Sequence, residues 1–196
     1  WSGMMAGSGM MGGYRSGRGS GGVCPYQNSG QPSAGTGERL SSQQALEKVQ
    51  NEISYDNNLG VAEIMEFEDN FYAVVVEKDT GKGAMELLVD PFSGRVYPEY
   101  GPNMMWNQKY GHMGRWFGGD ARLSLDEAKA AAQNWLDKEL PGAEVEGMGV
   151  EFYGYYTFDY TLDGRTAGML SVNAASGDVW LHTWHGEFIS EIELDE

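Results

Sequence analysis

Apolar and polar residues repeat with two different periods along residues 40–186. In two stretches the apolar positions recur every three or four residues, which predicts helices at 41–54 and 124–139. Ser41 and Ser124 stand where N-caps are expected, because a serine hydroxyl can accept a free amide of the first helical turn. Glu127 follows Ser124 at the spacing of a capping box.

Between and after these helices, apolar and polar residues alternate one by one. A period of two residues is typical of strands with one buried face. It predicts two sets of three strands, 60–68, 71–78 and 83–90, then 143–153, 155–162 and 166–173, each set followed by a Ser-Gly turn and a short last strand.

The second set repeats the first at a constant offset of 83 residues. Leu40-Ser41 matches Leu123-Ser124, and V-D-P-F-S-G-R-V-Y at 89–97 matches V-N-A-A-S-G-D-V-W at 172–180. Equal offsets at both ends indicate a duplicated unit. The sequence therefore predicts an α+β protein of two tandem repeats, each with one helix packed on an antiparallel sheet, and with Val89 and Val172 both buried.

A helix followed by strands that end in D/N-x-x-S-G-x-V resembles the PepSY domain. The resemblance covers residues 40–100 and 123–186. It implies a helix on a curved antiparallel sheet, an exported protein, and a binding, structural or inhibitory role. The resemblance assigns no catalytic residue to this sequence, because the family has none.

The N-terminal residues have a different composition, which divides the chain into a Gly/Met-rich tail (1–39), a first repeat (40–100), a Met/aromatic linker (101–122) and a second repeat with an acidic C-terminal strand (123–196). Residues 1–37 hold twelve glycines and two arginines but no acidic residue, so they carry +2. The net charge of −16 then leaves −18 on the rest. Opposite charges favour docking of an extended tail on an acidic body. The expected anchors are Trp1, Tyr14, Arg15, Arg18, Cys24 and Tyr26.

Charge and composition exclude several classes of protein. An acidic surface repels phosphates, which excludes nucleic acid as a partner. The sequence contains no run of 18 apolar residues, so it predicts no membrane-spanning helix. A single cysteine excludes an internal disulfide or a cysteine-cluster metal site. Because the chain begins at Trp1, we expect a removed signal peptide and an extracellular or periplasmic location.

The sequence holds no recognisable catalytic motif, so we expect a protein that is not an enzyme and needs no cofactor. Thioethers with an imidazole suit Cu(I), and this makes a soft-metal site an alternative. Its ligands would come from Met104, Met105, His112, Met113, Met4 and Met5. The competing interpretation is that these methionines fill space between the repeats. His182 and His185, if they share a strand, face opposite sides and would not chelate together without a bend in the chain.

The leading functional hypothesis is a non-enzymatic exported protein that associates with copies of itself through its tail, as in an extracellular filament. The alternatives are a periplasmic copper-binding protein and a PepSY-type inhibitor or ligand-binding module for a secreted enzyme.

The first prediction concerns the tail. Removal of residues 1–37 should leave the two repeats folded and abolish self-association, because the anchors of the tail are lost. Circular dichroism checks folding, and mass in solution or electron microscopy checks assembly. A truncated protein that assembles as well as the full chain would rule out the tail as the assembly element.

Overall fold

The chain forms a helix followed by an antiparallel meander, twice over. A computed structural model describes residues 37–114 and 120–194, all within one compact unit, 32–196. The first repeat contains α1 (Ser42–Glu52), β1 (Leu59–Phe67), β2 (Phe71–Glu77), β3 (Gly83–Val89) and β4 (Val96–Pro98). After a short helix α2 (Pro102–Met105) come α3 (Leu125–Glu139), β5 (Ala143–Glu151), β6 (Tyr155–Leu162), β7 (Arg165–Asn173), β8 (Val179–Leu181) and β9 (Phe188–Glu193). The predicted α+β class with two helix-and-sheet repeats is confirmed.

Both long helices begin at a capping box. The hydroxyl of Ser41 accepts the amide of Gln44, and that of Ser124 accepts the amide of Glu127. In return, each N3 side chain accepts the backbone N–H of its serine. The two exchanges satisfy amides that have no partner inside the helix.

The strands form two antiparallel sheets, and one strand joins the sheet of the other repeat. Sheet 1 has the order β4-β3-β2-β1-β9, and sheet 2 has the order β5-β6-β7-β8. Strand β9 follows the second repeat in sequence, but it pairs with β1 from Phe67↔Phe188 to Glu63↔Glu193. The last strand of the chain therefore completes the sheet of the first repeat.

Three apolar cores separate four layers. Helix α1 packs on one face of sheet 1, and helix α3 packs on one face of sheet 2. Val89 and Val172 lie in these two cores with no exposed area, as predicted. The other faces of the two sheets meet in a third core that includes Tyr72, Phe152 and Met169. The order of layers is helix, sheet, sheet, helix.

None of the helices in the described ranges is long and apolar enough to cross a membrane.

A buried carboxylate ties the first repeat to the linker and to the second repeat. Glu77, at the end of β2, accepts hydrogen bonds from Lys109, from Tyr110 at 2.7 Å and from Tyr153 at 2.8 Å. Burial alone would raise the pKa of Glu77, but these donors outweigh it and lower the pKa to about 2.

The pH dependence of this contact is the second prediction. Because the folded pKa of Glu77 lies below its ordinary value of 4.5, the contact stabilises the fold above that value and is lost as pH falls toward 2. Glu77→Gln should therefore lower the free energy of unfolding at pH 7, and the difference from wild type should narrow between pH 5 and pH 3. Urea denaturation measures both.

Glu47→Gln is the matched control, because Glu47 is an exposed glutamate on α1. It should stay within about 0.5 kcal/mol of wild type at each pH. A Glu77→Gln difference that is constant with pH would contradict the prediction.

Candidate metal centre

Three chemically active side chains meet between the two sheets. Glu99 follows β4, and His182 and His185 follow β8. One ligand atom from each lies within 4.8 Å of the other two. The side chains of Glu99 and His182 have no exposed area, and that of His185 is 3% exposed. Glu99 and His182 are equivalent positions of the two repeats, at the offset of 83 residues.

The three side chains approach each other closely without forming hydrogen bonds. Glu99 Oε1 lies 3.1 Å from His182 Nδ1 and 3.0 Å from His185 Nε2, but neither nitrogen has hydrogen-bond geometry toward a partner. Glu99 Oε2 also has none. In the described residues four buried side-chain atoms lack a hydrogen-bond partner, and three belong to this cluster. The two nitrogens nevertheless lie at ion-pair distance from Glu99 Oε1, in an arrangement that either a shared proton or a bound cation would satisfy.

Contacts outside the cluster hold both imidazoles in place. The second ring nitrogen of His182, Nε2, lies 3.0 Å from Ser171 Oγ. That of His185, Nδ1, lies 2.8 Å from Asn70 Oδ1. The His185 ring stacks on Phe67 with centroids 4.7 Å apart, and the His182 ring stacks on Trp184 at 4.9 Å.

The electrostatics of the cluster favour an ionised carboxylate. Burial would raise the pKa of Glu99, but the adjacent imidazoles outweigh it and lower the pKa to about 2. Burial would lower the pKa of His182, yet Glu99 raises it overall. For His185 burial dominates, and its pKa is lowered. Trp184 Nε1 also donates to Glu99 Oε1, at 3.2 Å.

A second buried carboxylate lies in the same core. Glu86, on β3, accepts from Tyr72 and Tyr155 at 2.7 Å each and from Thr157 at 2.8 Å. Burial and the charge of Glu99 raise the pKa of Glu86 to about 7, although the hydroxyl donors oppose the shift. Thr157 and Ser171 connect Glu86 to His182, because their hydroxyl oxygens are 2.8 Å apart.

Two imidazole nitrogens and a carboxylate form a ligand set for divalent transition metals. In a tetrahedral zinc site with bonds of about 2.0–2.1 Å, neighbouring ligand atoms are roughly 3.3 Å apart. The distances of 3.0 and 3.1 Å from Glu99 are close to this value.

The expectation that His182 and His185 face opposite sides of one strand is not met, because β8 ends at Leu181. The chain then turns, and strand alternation no longer decides where the rings point. The repeat offset relates Glu99 to His182 as equivalent positions, but it does not show that they meet in space.

The predicted soft-metal residues lie elsewhere. Met104 and Met105 are half-buried on α2, and Met105 packs against the core between the sheets. His112 is exposed and is not part of the Glu99 cluster, and Met113 is 37% exposed. Met4, Met5 and the anchors Trp1, Tyr14, Arg15, Arg18, Cys24 and Tyr26 lie outside the described residues.

Comparisons with known proteins do not place the chain in a family. No protein-family model matches the chain, and no curated protein matches it. Among solved structures, the Bacillus megaterium YpeB C-terminal domain is similar over 73% of this chain, with 12% sequence identity and a TM-score of 0.28. The chain spans 62% of that domain's length.

The third prediction tests how Glu86 is stabilised. Tyr72→Phe and Tyr155→Phe each remove one donor from a buried carboxylate and should each cost about 1.5–3 kcal/mol of unfolding free energy. The double variant should cost less than the sum, because Glu86 protonates once both donors are gone. Urea denaturation in a double-mutant cycle measures the coupling.

Tyr55→Phe provides the control, since Tyr55 is 73% exposed, and it should leave stability unchanged. Strictly additive costs, or single costs below about 0.5 kcal/mol, would contradict this account of Glu86.

Proposed function

We propose that the protein is a non-enzymatic binding module that holds one divalent transition-metal ion of the zinc class between its two sheets. The observation that carries the proposal is the convergence of three ligand atoms in a buried site, one each from Glu99, His182 and His185, with both imidazole nitrogens within 3.1 Å of the carboxylate but without hydrogen-bond geometry toward it. A cation bound there would satisfy all three at once.

The burial of the ligands supports a structural ion rather than a catalytic one. Catalytic zinc keeps a coordination position open to water or substrate, whereas structural zinc is enclosed by protein ligands. At most 3% of any ligand side chain is exposed here. The nitrogen and oxygen ligands also favour Zn²⁺ over Cu(I), which prefers thioethers and thiolates.

The position of the ligands gives the ion a mechanical role. Glu99 comes from the first repeat, and both histidines come from the segment that leads into β9. Two backbone bonds already fix this segment to the first repeat, from Asp69 N to His185 O and from Glu68 N to Glu187 O. An ion at this point would link the repeats and hold β9 against β1.

The broader hypotheses from the sequence stay compatible with this function. An ion that links the two repeats is consistent with an exported PepSY-like protein that associates with itself through its tail. The 83-residue repeat supports the PepSY relation, while export and assembly stay predictions.

Metal binding is the fourth prediction. The full chain, stripped with a chelator and titrated with Zn²⁺, should bind one equivalent at the site and gain thermal stability, because the ion binds the folded state alone. Co²⁺ should give the visible bands of a site with nitrogen and oxygen ligands. Glu99→Gln, His182→Ala and His185→Ala should each remove this equivalent and the stabilisation.

His112→Ala is the matched control, because it removes an exposed histidine outside the cluster. It should bind Zn²⁺ as wild type does. Titration with Cu(I), repeated on Met104→Ala, tests the soft-metal alternative in parallel. A chain that gains no stability from Zn²⁺ or Co²⁺, or ligand variants that bind like wild type, would overturn the proposal and leave the cluster as a protonated imidazole–carboxylate network.

A further inference from the structure

When Glu86 is ionised, the hydrogen bonds that lead away from the cluster run in one direction, and this direction assigns a proton to one nitrogen of His182. Thr157 has one hydroxyl proton and donates it to Glu86 Oε1 at 2.8 Å. Its oxygen must then accept the proton of Ser171, at 2.8 Å. Ser171 in turn accepts from His182 Nε2, at 3.0 Å. In the neutral ring the proton therefore sits on Nε2, and the lone pair of Nδ1 faces Glu99.

A separate contact assigns the proton of neutral His185 to Nδ1, the ring nitrogen that does not face Glu99. The amide nitrogen of Asn70 donates to the carbonyl of Trp184 at 2.9 Å, so its oxygen faces the ring. Asn70 Oδ1 can only accept, and His185 Nδ1 must donate to it across 2.8 Å. The remaining nitrogen, Nε2, then presents its lone pair to Glu99.

We propose that Ser171 and Asn70 are positioning residues that hold the two histidines in the tautomers required for metal binding, with Thr157 and Glu86 setting the direction of the Ser171 bond. The inference rests on the proposed metal site. Metals bind the deprotonated imidazole nitrogen, and a hydrogen bond at the other nitrogen selects it. Both rings are thereby prepared to bind the same ion.

The comparison of the two repeats supports a specific role for the Ser171 hydroxyl. At the offset of 83 residues, Ser171 corresponds to Leu88, and neither side chain has any exposed area. Leu88 shows that this position on the third strand of the repeat packs without a hydroxyl group. A polar side chain, which is costly to bury, occurs here in the repeat that supplies the histidines.

Paired variants of Thr157 and Ser171 test the inference. Ser171→Ala and Thr157→Val remove the hydroxyl chain and should weaken Zn²⁺ binding by about 10–100-fold. Thr157→Ser keeps the hydroxyl and should bind within about threefold of wild type. If Thr157→Val and Thr157→Ser weaken binding equally, or if Ser171→Ala and Thr157→Val bind like wild type, the inference fails.

The protonation state can also be observed directly. Nitrogen-15 NMR of the metal-free full chain with labelled histidine, recorded at a pH at which both rings are neutral, should show a protonated Nε2 on His182 and a protonated Nδ1 on His185. Thr157→Val should give a mixture of tautomers at His182 and leave His185 unchanged, which a general loss of stability would not do. The opposite tautomers in wild type would overturn the inference.

The two measurements separate the two proposals. If wild type fails to bind Zn²⁺ but shows the expected tautomers, the hydrogen-bond chain stands as described and the metal function fails. If wild type binds Zn²⁺ with tautomers that do not respond to Thr157→Val, the metal function stands and the positioning role fails.

Discussion

The core between the two sheets contains two carboxylates that solvent does not reach, Glu86 and Glu99. Removing a carboxylate from water costs several kcal/mol even after the protein relaxes, so each one needs local compensation. Glu86 obtains it from three hydroxyl groups on both sheets. Glu99 obtains it from the imidazoles and from Trp184. Because these partners come from both repeats, neutralising the two charges requires the sheets to be docked together.

The two repeats share a fold but protect their sheet edges differently. In sheet 1 the free edge of β1 is covered by β9. In sheet 2 the equivalent edge, on β5, meets side chains of α3: Gln133 accepts from Val145 N at 2.8 Å and donates to Ala143 O at 3.0 Å. Lys129 donates to the carbonyl of Gly147 on the same strand. Unpaired strand edges tend to pair with other chains, and both solutions reduce that tendency.

Much of the fold follows from local sequence, whereas the site depends on long-range contacts. The capping serines and the alternation of residues such as Tyr72 and Val74 act within a few positions, so the helices and strands could be predicted. The pairing of β9 with β1 could not, because strand propensity does not name a partner. The cluster was missed because His182 lies one residue beyond β8, where a turn replaces the strand period. The offset of 83 residues would have related Glu99 to His182, but it gave no information about how the two sheets face each other.

The place of β9 after the second repeat has a consequence for biosynthesis. The first repeat is synthesised complete with its helix and four strands, yet its sheet stays open at β1 until Phe188–Glu193 has been made. Contacts between residues so far apart in sequence form late, because closing the intervening loop costs entropy. The nascent chain therefore exposes a free strand edge during synthesis of the entire second repeat. Strand β9 closes that edge, so completion of the first sheet requires that the second repeat has already been synthesised.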